Sequence, residues 1–265
     1  MLLTYRYEMD LEFTQPVTDQ YFSVMCIPRE TERQKPVSIS VLTDPDAHAG
    51  MDTDGLGNPF VYGVIHEPHS SFRLVSEGTT EQTGSLHEEY EDPDAPGMTR
   101  YRVQSAFTQP GPALSGLYRK WIKTAPADDY GRMLHFGNCV QEELSYVSGS
   151  TGVDTTAEQA AEAGTGVCQD YAHVMIALLR MSGIPARYVT GMMSGEGQTH
   201  AWVEANCLGY WYGIDPTNNA LADSSYIKFS HGRDYQDCMI SRGIFTNPFA
   251  RQSTDVNVIV RQLSQ

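Results

Sequence analysis

Three side chains in this sequence have the types and surroundings of an acyl-transfer site. Cys168 stands in GTGVCQDYAHVMIALLRMSGIPARY, residues 164–188, where glycines lead into a thiol and an apolar helical segment follows. Thr165 or Gly166 is the expected N-cap, which puts Cys168 in the first helical turn. Unpaired backbone N–H groups and the positive end of the helix dipole favour an anion there. A thiolate is such an anion, and this position is one that activates cysteine as a nucleophile. The same amides could hold the oxyanion of a tetrahedral intermediate. Small Gly164 and Gly166 would let a substrate backbone approach.

A thiolate nucleophile needs a base, and the base needs orienting. THAWVEAN, 199–206, and GYWYGIDPT, 209–217, read as two antiparallel strands with a tight turn at Cys207–Leu208. If residue 206 pairs with 209, His200 stands directly opposite Asp215. Directly opposed side chains share a face with Cβ atoms about 4.5–5.5 Å apart. A carboxylate could then hold one imidazole nitrogen while the other faces a thiol, whereas a one-residue slip would separate them. Taken singly, Cys168 could be a packed thiol, His200 a structural histidine and Asp215 the start of an Asp-Pro turn. Taken together they form a Cys-His-Asp constellation that packing does not require.

The elements that must position these residues divide the chain in two. Residues 1–108 read as an all-β, sandwich-like domain: TYRYEMDLEF alternates at period two, and SVMCIP, VSISVLT, FVYGVIH and SFRLVSEG supply further short runs. YEDPDAPGMTRYRVQ reads as a loop and a last strand, and SAFTQPGPALSG as the joint. Residues 109–265 read as an α+β domain. LSGLYRKWIK, MLHFGNCVQEELSYV and TTAEQAAEA are helical. The stripe Ala172, Met175, Ile176 and Leu179 continues into a helix stopped by Gly183, and ARYVTGMM, THAWVEAN, GYWYGID and DVNVIVRQL are strands.

Composition narrows the function classes. The 265 residues are 40% hydrophobic and 19% charged, as in a globular protein. A net charge of −15 argues against a nucleic-acid partner, since binding to phosphates rests on Lys and Arg. No apolar run reaches the roughly 20 residues of a membrane span, so no membrane partner is expected. No signal-peptide pattern is read at the N-terminus, so a cytoplasmic setting is expected. Cys26, Cys139, Cys207 and Cys238 lack CxxC spacing and are read as reduced bystanders. His66 and His69 read as a turn, and MDTDGLGNP lacks the glutamate a calcium loop needs at its twelfth position. No metal and no cofactor are expected. His173 reads as a core or flanking histidine.

GVCQDYAHVMIALLRMSGIPARYVTG, THAWVEA and WYGIDPTNN, followed by HGRDYQD, resemble the transglutaminase-like superfamily of cysteine enzymes over roughly 110–265. Residues 1–108 are similar, through strand pattern and DGLGN at 54–58, to the bacterial domain often found ahead of such a core. The resemblance implies a papain-like core in which Cys168, His200 and Asp215 fall on the three catalytic positions. The thiol would attack a peptide or carboxamide carbonyl, giving a thioester acyl-enzyme. Water as acceptor makes the protein a hydrolase of peptides or carboxamides, the favoured reading. A lysine amine would make it a protein-glutamine gamma-glutamyltransferase, and loss of chemistry would leave a peptide-binding scaffold. A peptide or protein is the expected substrate, with Gly166, Trp202 and Trp211 lining or supporting its site. Such a core usually takes a second oxyanion donor from upstream of the cysteine, and Trp121, Gln141 and Tyr146 are the candidates. Arg233 or Asp234 of the GRD segment could brace the catalytic hairpin.

Overall fold

A computed structural model describes residues 1–263. Six strands come first: β1 (Leu2–Val24), β2 (Gln34–Asp44), β3 (His48–Thr53), β4 (Pro59–Ile65), β5 (His69–Gln82) and β6 (His87–Tyr90). Then follow α1 (Thr99–Arg102), α2 (Pro112–Trp121), α3 (Asp129–Glu143), β7 (Ser145–Tyr146), α4 (Ala157–Ala163), β8 (Thr165–Gly166) and α5 (Cys168–Met181). The chain ends in β9 (Ala186–Met193), β10 (Gly195–Gly197), β11 (His200–Cys207), β12 (Tyr210–Asp215), β13 (Ala220–Leu221), β14 (Tyr226–Gly232), β15 (Ser241–Thr246) and β16 (Gln252–Gln262).

The period-two alternation of β1 does what its pattern implies. Leu3, Tyr5, Tyr7, Met9, Leu11 and Phe13 are buried, while the residues between them are half-buried or exposed. Irregularities in register between Glu12 and Val17 and between Thr18 and Tyr21 let this long strand change partners. Its first half pairs with β5 and β16, its second with β4 and β15. Two expected strands are not strands. SVMCIP leaves β1 at Val24, and its Met25, Cys26 and Ile27 are buried in irregular backbone. MTRYRV forms α1, entered through a turn that has Pro96 at its first position.

The expected boundary near 108 is crossed in both directions. β15 and β16 return to pair with β1 in the N-terminal sheet, and β6 joins the second sheet by pairing with β12. That second sheet runs β13-β12-β11-β9-β14. Helix α5 lies against it, with every residue from Asp170 to Arg180 buried. The expected apolar stripe is thus part of a helix enclosed on all sides, by β9 and β11 on one and by α2, α3 and α4 on the other.

Strand β14 has β9 on one side only, and an uncovered edge carries unpaired backbone groups. Side-chain amides from the N-terminal region satisfy that edge. Gln34 donates to Lys228 O at 2.9 Å and accepts from Lys228 N at 2.8 Å. Asn58 donates to His231 O and accepts from His231 N, both at 2.9 Å. Asn58 is the last residue of the DGLGN turn, held by Asp54 through its own backbone and side-chain N–H groups. Met192, Ile227 and Phe229 complete the N-terminal core, with Phe229 edge-on to Tyr7 at 6.1 Å.

Candidate active site

The helix that carries Cys168 begins one or two residues later than expected. Val167 is the N-cap and Cys168 the first helical residue. Valine has no capping oxygen, so the carboxylate at the third helical position serves instead, Asp170 Oδ2 accepting from Val167 N at 2.8 Å. Helix geometry leaves the N–H groups of Cys168 and Gln169 without intrahelical acceptors. Asp170 Oδ2 also accepts from Thr151 Oγ1 at 2.6 Å, tying the loop after β7 to the start of α5. Gly166 is buried, and a Cβ there would approach the Asp170 Cβ at 2.6 Å. Its smallness therefore serves the helix start. The expectation that it opens room for substrate does not fit this placement.

The hairpin β11–β12 differs from expectation by two residues. Cys207 pairs with Tyr210 and Val203 with Ile214, so the turn is Leu208–Gly209, not Cys207–Leu208. Both turn residues have positive φ, 54° and 93°, the type I′ pattern that matches strand twist. Extending this register sets Asp215 opposite Trp202 and His200 two residues beyond. A two-residue shift preserves the face. His200 and Asp215 therefore meet diagonally, with Nε2 2.7 Å from Oδ2.

Asp215 is fully buried, and every lone pair it offers is engaged. Its Oδ1 accepts from the N–H groups of Thr217 and Asn218, and its Oδ2 from His200, from Asn218 Nδ2 at 2.7 Å and from the Tyr226 hydroxyl at 2.9 Å. Burial alone would raise this carboxyl, but the His200, Asn218 and Tyr226 donors bring it below its ordinary value. Tyr226 comes from β14, a strand the sequence reading missed, and Asn218 from the Asp-Pro turn. Trp202 packs beside the imidazole, stacked at 6.5 Å between centroids, and edge-on to Tyr226. Gly191, paired with His200 on β9, leaves space for the Trp202 ring that a Cβ would invade.

His200 faces two opposing pressures. Burial disfavours its charge, but hydrogen bonding and Coulombic attraction from Asp215 and Cys168 outweigh this and raise the imidazole to about 10. With Nε2 committed to Asp215, Nδ1 is the nitrogen left for the thiol. Thus Cys168, His200 and Asp215 are brought together, and Cys168 and His200 both line a cleft of about 470 Å³. One wall is the loop carrying Ser148 and Thr151 with Tyr146 above it; the other is Ser194–Thr199. Strand β10 anchors the second wall on β16, and Val258 of β16 reaches the cleft.

Of the three candidate oxyanion donors, Tyr146 lines this cleft; Gln141 is exposed on α3, and Trp121 is buried beside His135. Tyr146 lines the cleft with Cys168, and burial first, then Coulombic coupling to Cys168, hold its phenol above its usual range. Trp202 supports His200 from within the core. Trp211 is buried away from the cleft, donating to Glu91 Oε2 at 2.7 Å. Arg233 pairs with Asp237, and Asp234 caps its own turn through Gln236 N. Among the described residues the side chain of neither hydrogen-bonds to the β11–β12 hairpin. His173 is buried, accepts from Tyr235 N and is pushed down to about 3 by burial and Arg180.

Comparison with known proteins bears on the fold. The model of the transglutaminase-like superfamily core matches residues 119–216, and that of the bacterial transglutaminase-like N-terminal region matches residues 3–81. Residues 119–216 thus carry a transglutaminase-like core and residues 3–81 a bacterial transglutaminase-like N-terminal region. An uncharacterized protein of Mycobacterium leprae is 27% identical over 272 residues, covering 94% of this chain and 93% of that one. One from Mycobacterium tuberculosis is 27% identical over 293 residues, covering 97% and 93%. A candidate cysteine protease from Cytophaga hutchinsonii shares the fold over 100% of this chain and 92% of its own, with a TM-score of 0.82 at 22% identity. Among the described residues no group of three His, Cys, Asp or Glu side chains is arranged to hold a metal, and no helix is long and apolar enough to cross a membrane.

Proposed function

We propose that this protein is a cysteine hydrolase that cleaves peptide or carboxamide bonds through Cys168, His200 and Asp215. The observation that carries the reading is the held imidazole beside a thiol: His200 donates to a fully buried Asp215 and lines one cleft with Cys168. A histidine placed for packing alone needs neither partner.

In the first half-reaction the Cys168 sulfur attacks the substrate carbonyl and the carbonyl π-electrons move to oxygen. The Cys168 N–H and the Tyr146 hydroxyl receive that oxyanion. His200 carries the thiol proton and delivers it to the departing amine, leaving a thioester on Cys168. In the second, His200 takes a proton from water, hydroxide adds to the thioester, and the thiolate leaves as carboxylate product forms. Asp215 keeps Nε2 protonated throughout, so Nδ1 is the transferring nitrogen.

Incubation with a glutamine-containing peptide and a labelled amine, read by mass spectrometry, tests the acceptor. Hydrolysed product with little amine incorporation is expected, together with a trapped adduct on Cys168. Efficient incorporation would make the protein an amine transferase, and the absence of any acyl-enzyme would leave a binding scaffold.

A further inference from the structure

A second hollow lies on the same face of the second sheet as His200. Alternate residues of a strand share a face, and four positions along β11 from His200 stands Glu204, almost wholly buried. It is held by Arg187 Nε at 2.6 Å and Lys228 Nζ at 2.7 Å. Trp202 separates this group from the imidazole. The hollow, of about 280 Å³, is closed on the other side by Arg29 from the N-terminal region.

Its inner charges balance in number: Arg29, Arg187 and Lys228 bring three positive charges, and Glu204, Glu88 and Glu91 three negative ones. The carboxylates are engaged, Glu204 with Arg187 and Lys228, Glu88 3.8 Å from Lys228 and Glu91 with Trp211 Nε1, whereas the two guanidinium groups keep free ends. The Arg187 guanidinium lies 4.0 Å over Trp211, and among the described residues only its Nε has a protein acceptor, leaving both terminal nitrogens available. Arg29 spends Nη1 on Leu56 O and Asn58 Oδ1, and its Nη2 has no acceptor among them. His231 lines the same hollow, is only 7% exposed, and has a buried Nδ1 with no partner. Burial, then repulsion from Arg187, holds Arg29 below its ordinary value; His231 is lowered by burial and by all three cations. A buried ring nitrogen left without a partner, as His231 Nδ1 is, costs free energy until one arrives.

We propose that this hollow binds a small carboxylate, gripped by the free ends of Arg187 and Arg29 and by His231 Nδ1. Two planar guanidinium forks match a planar carboxylate. The exposed Glu30 and Glu32 at the rim set the rest of the ligand's chemistry. They repel an anion of higher charge and suit an amino group next to the carboxylate, so a zwitterionic amino acid is favoured over a simple acid. Because Arg29 belongs to the N-terminal region and Arg187 to β9, the ligand would tie the two sheets together.

Calorimetric titration and thermal unfolding of the intact protein, at constant ionic strength against a chloride control, test this with acetate, glycine and inorganic phosphate as probes. Saturable binding of acetate and tighter binding of glycine are expected, each raising the unfolding temperature, with phosphate weaker than either. Arg29→Gln should weaken glycine at least tenfold, and the exposed Glu32→Gln, which leaves the packing intact, should narrow the difference between glycine and acetate. His200→Ala should bind as the wild type does, which separates this hollow from the catalytic cleft. Absence of saturable carboxylate binding, a preference for phosphate, or loss of binding in His200→Ala would overturn the proposal. So would a Glu32→Gln protein with an unchanged preference for glycine over acetate.

Discussion

At the residue scale, the site depends on Asp215 more than its single contact with His200 suggests. It also receives Tyr226, Asn218 and two backbone N–H groups. Asp215→Asn should lower kcat by on the order of 10⁴ with little change in KM, because the amide imposes the wrong imidazole tautomer. Steady-state kinetics on any turned-over peptide checks this. The charge state of His200 also links stability to pH. Its folded value of about 10 lies above an unfolded value of about 6.5. The stabilisation is therefore complete below about pH 6.5 and is lost as pH rises through 10. Asp215 is lowered, so its contribution holds above its unfolded value of about 3.9 and is lost in acid. Urea unfolding followed from pH 7 to 10 should show falling stability in the wild type and a flatter profile in His200→Ala. Cys168, His200 and Asp215 were legible because each sits in a local pattern: a glycine-led helix start and two facing strands. Tyr226 was not, since nothing within YIKFS announces a hydroxyl aimed at a carboxylate eleven residues away.

At the element scale, the hairpin shows how a sequence reading can choose the right face through the wrong register. The expected turn would have held Cys207 and Leu208. The observed one places Leu208 at φ 54°, where a side chain is disfavoured and only its neighbour is glycine. Asn-Gly is the preferred pair for a type I′ turn. Leu208 is 83% exposed, so Leu208→Asn should lose no packing and should stabilise the fold by about 0.5–1 kcal/mol, measured by denaturant midpoint. The start of α5 gives a second test. Asp170 joins the N-cap to Thr151, and Asp170→Ala would free both the first turn and a cleft wall. Cys168 alkylation should slow severalfold while the unfolding free energy falls by about 1–3 kcal/mol, the cost of unpaired buried donors. The helix and its neighbouring strands were readable from periodicity and glycine placement. β10 was not, because its three residues become a strand only by pairing with β16, far away in sequence.

At the scale of the whole molecule, the two sequence regions share cores and edges. The N-terminal core includes Met192, Ile227 and Phe229, while Val258 of the returning C-terminal strand reaches the cleft that Cys168 and His200 line. This exchange was invisible in the sequence: DVNVIVRQL reads as a strand, but no local signal says which sheet it joins. A fragment spanning 109–265 would expose these apolar residues and leave β14 uncovered. It should bind hydrophobic dye and lose cooperative unfolding, whereas the intact chain should do neither. A milder change probes the same seam. Asn58→Ala removes both hydrogen bonds to the His231 backbone and should cost about 1–3 kcal/mol by urea unfolding, since the buried N–H and C=O lose their only partners from the N-terminal side.

The central claim is that His200 activates Cys168, and the most direct measurement is the rate of iodoacetamide alkylation against pH, with the modified residue located by mass spectrometry. Wild type and His200→Ala are compared, the other four thiols being buried and serving as internal references. Rapid modification of Cys168 near pH 6–7, lost in the variant, is the predicted result. A Cys168 that reacts at the same rate in both proteins, and only as pH approaches the ordinary thiol value of about 8.5, would contradict the account.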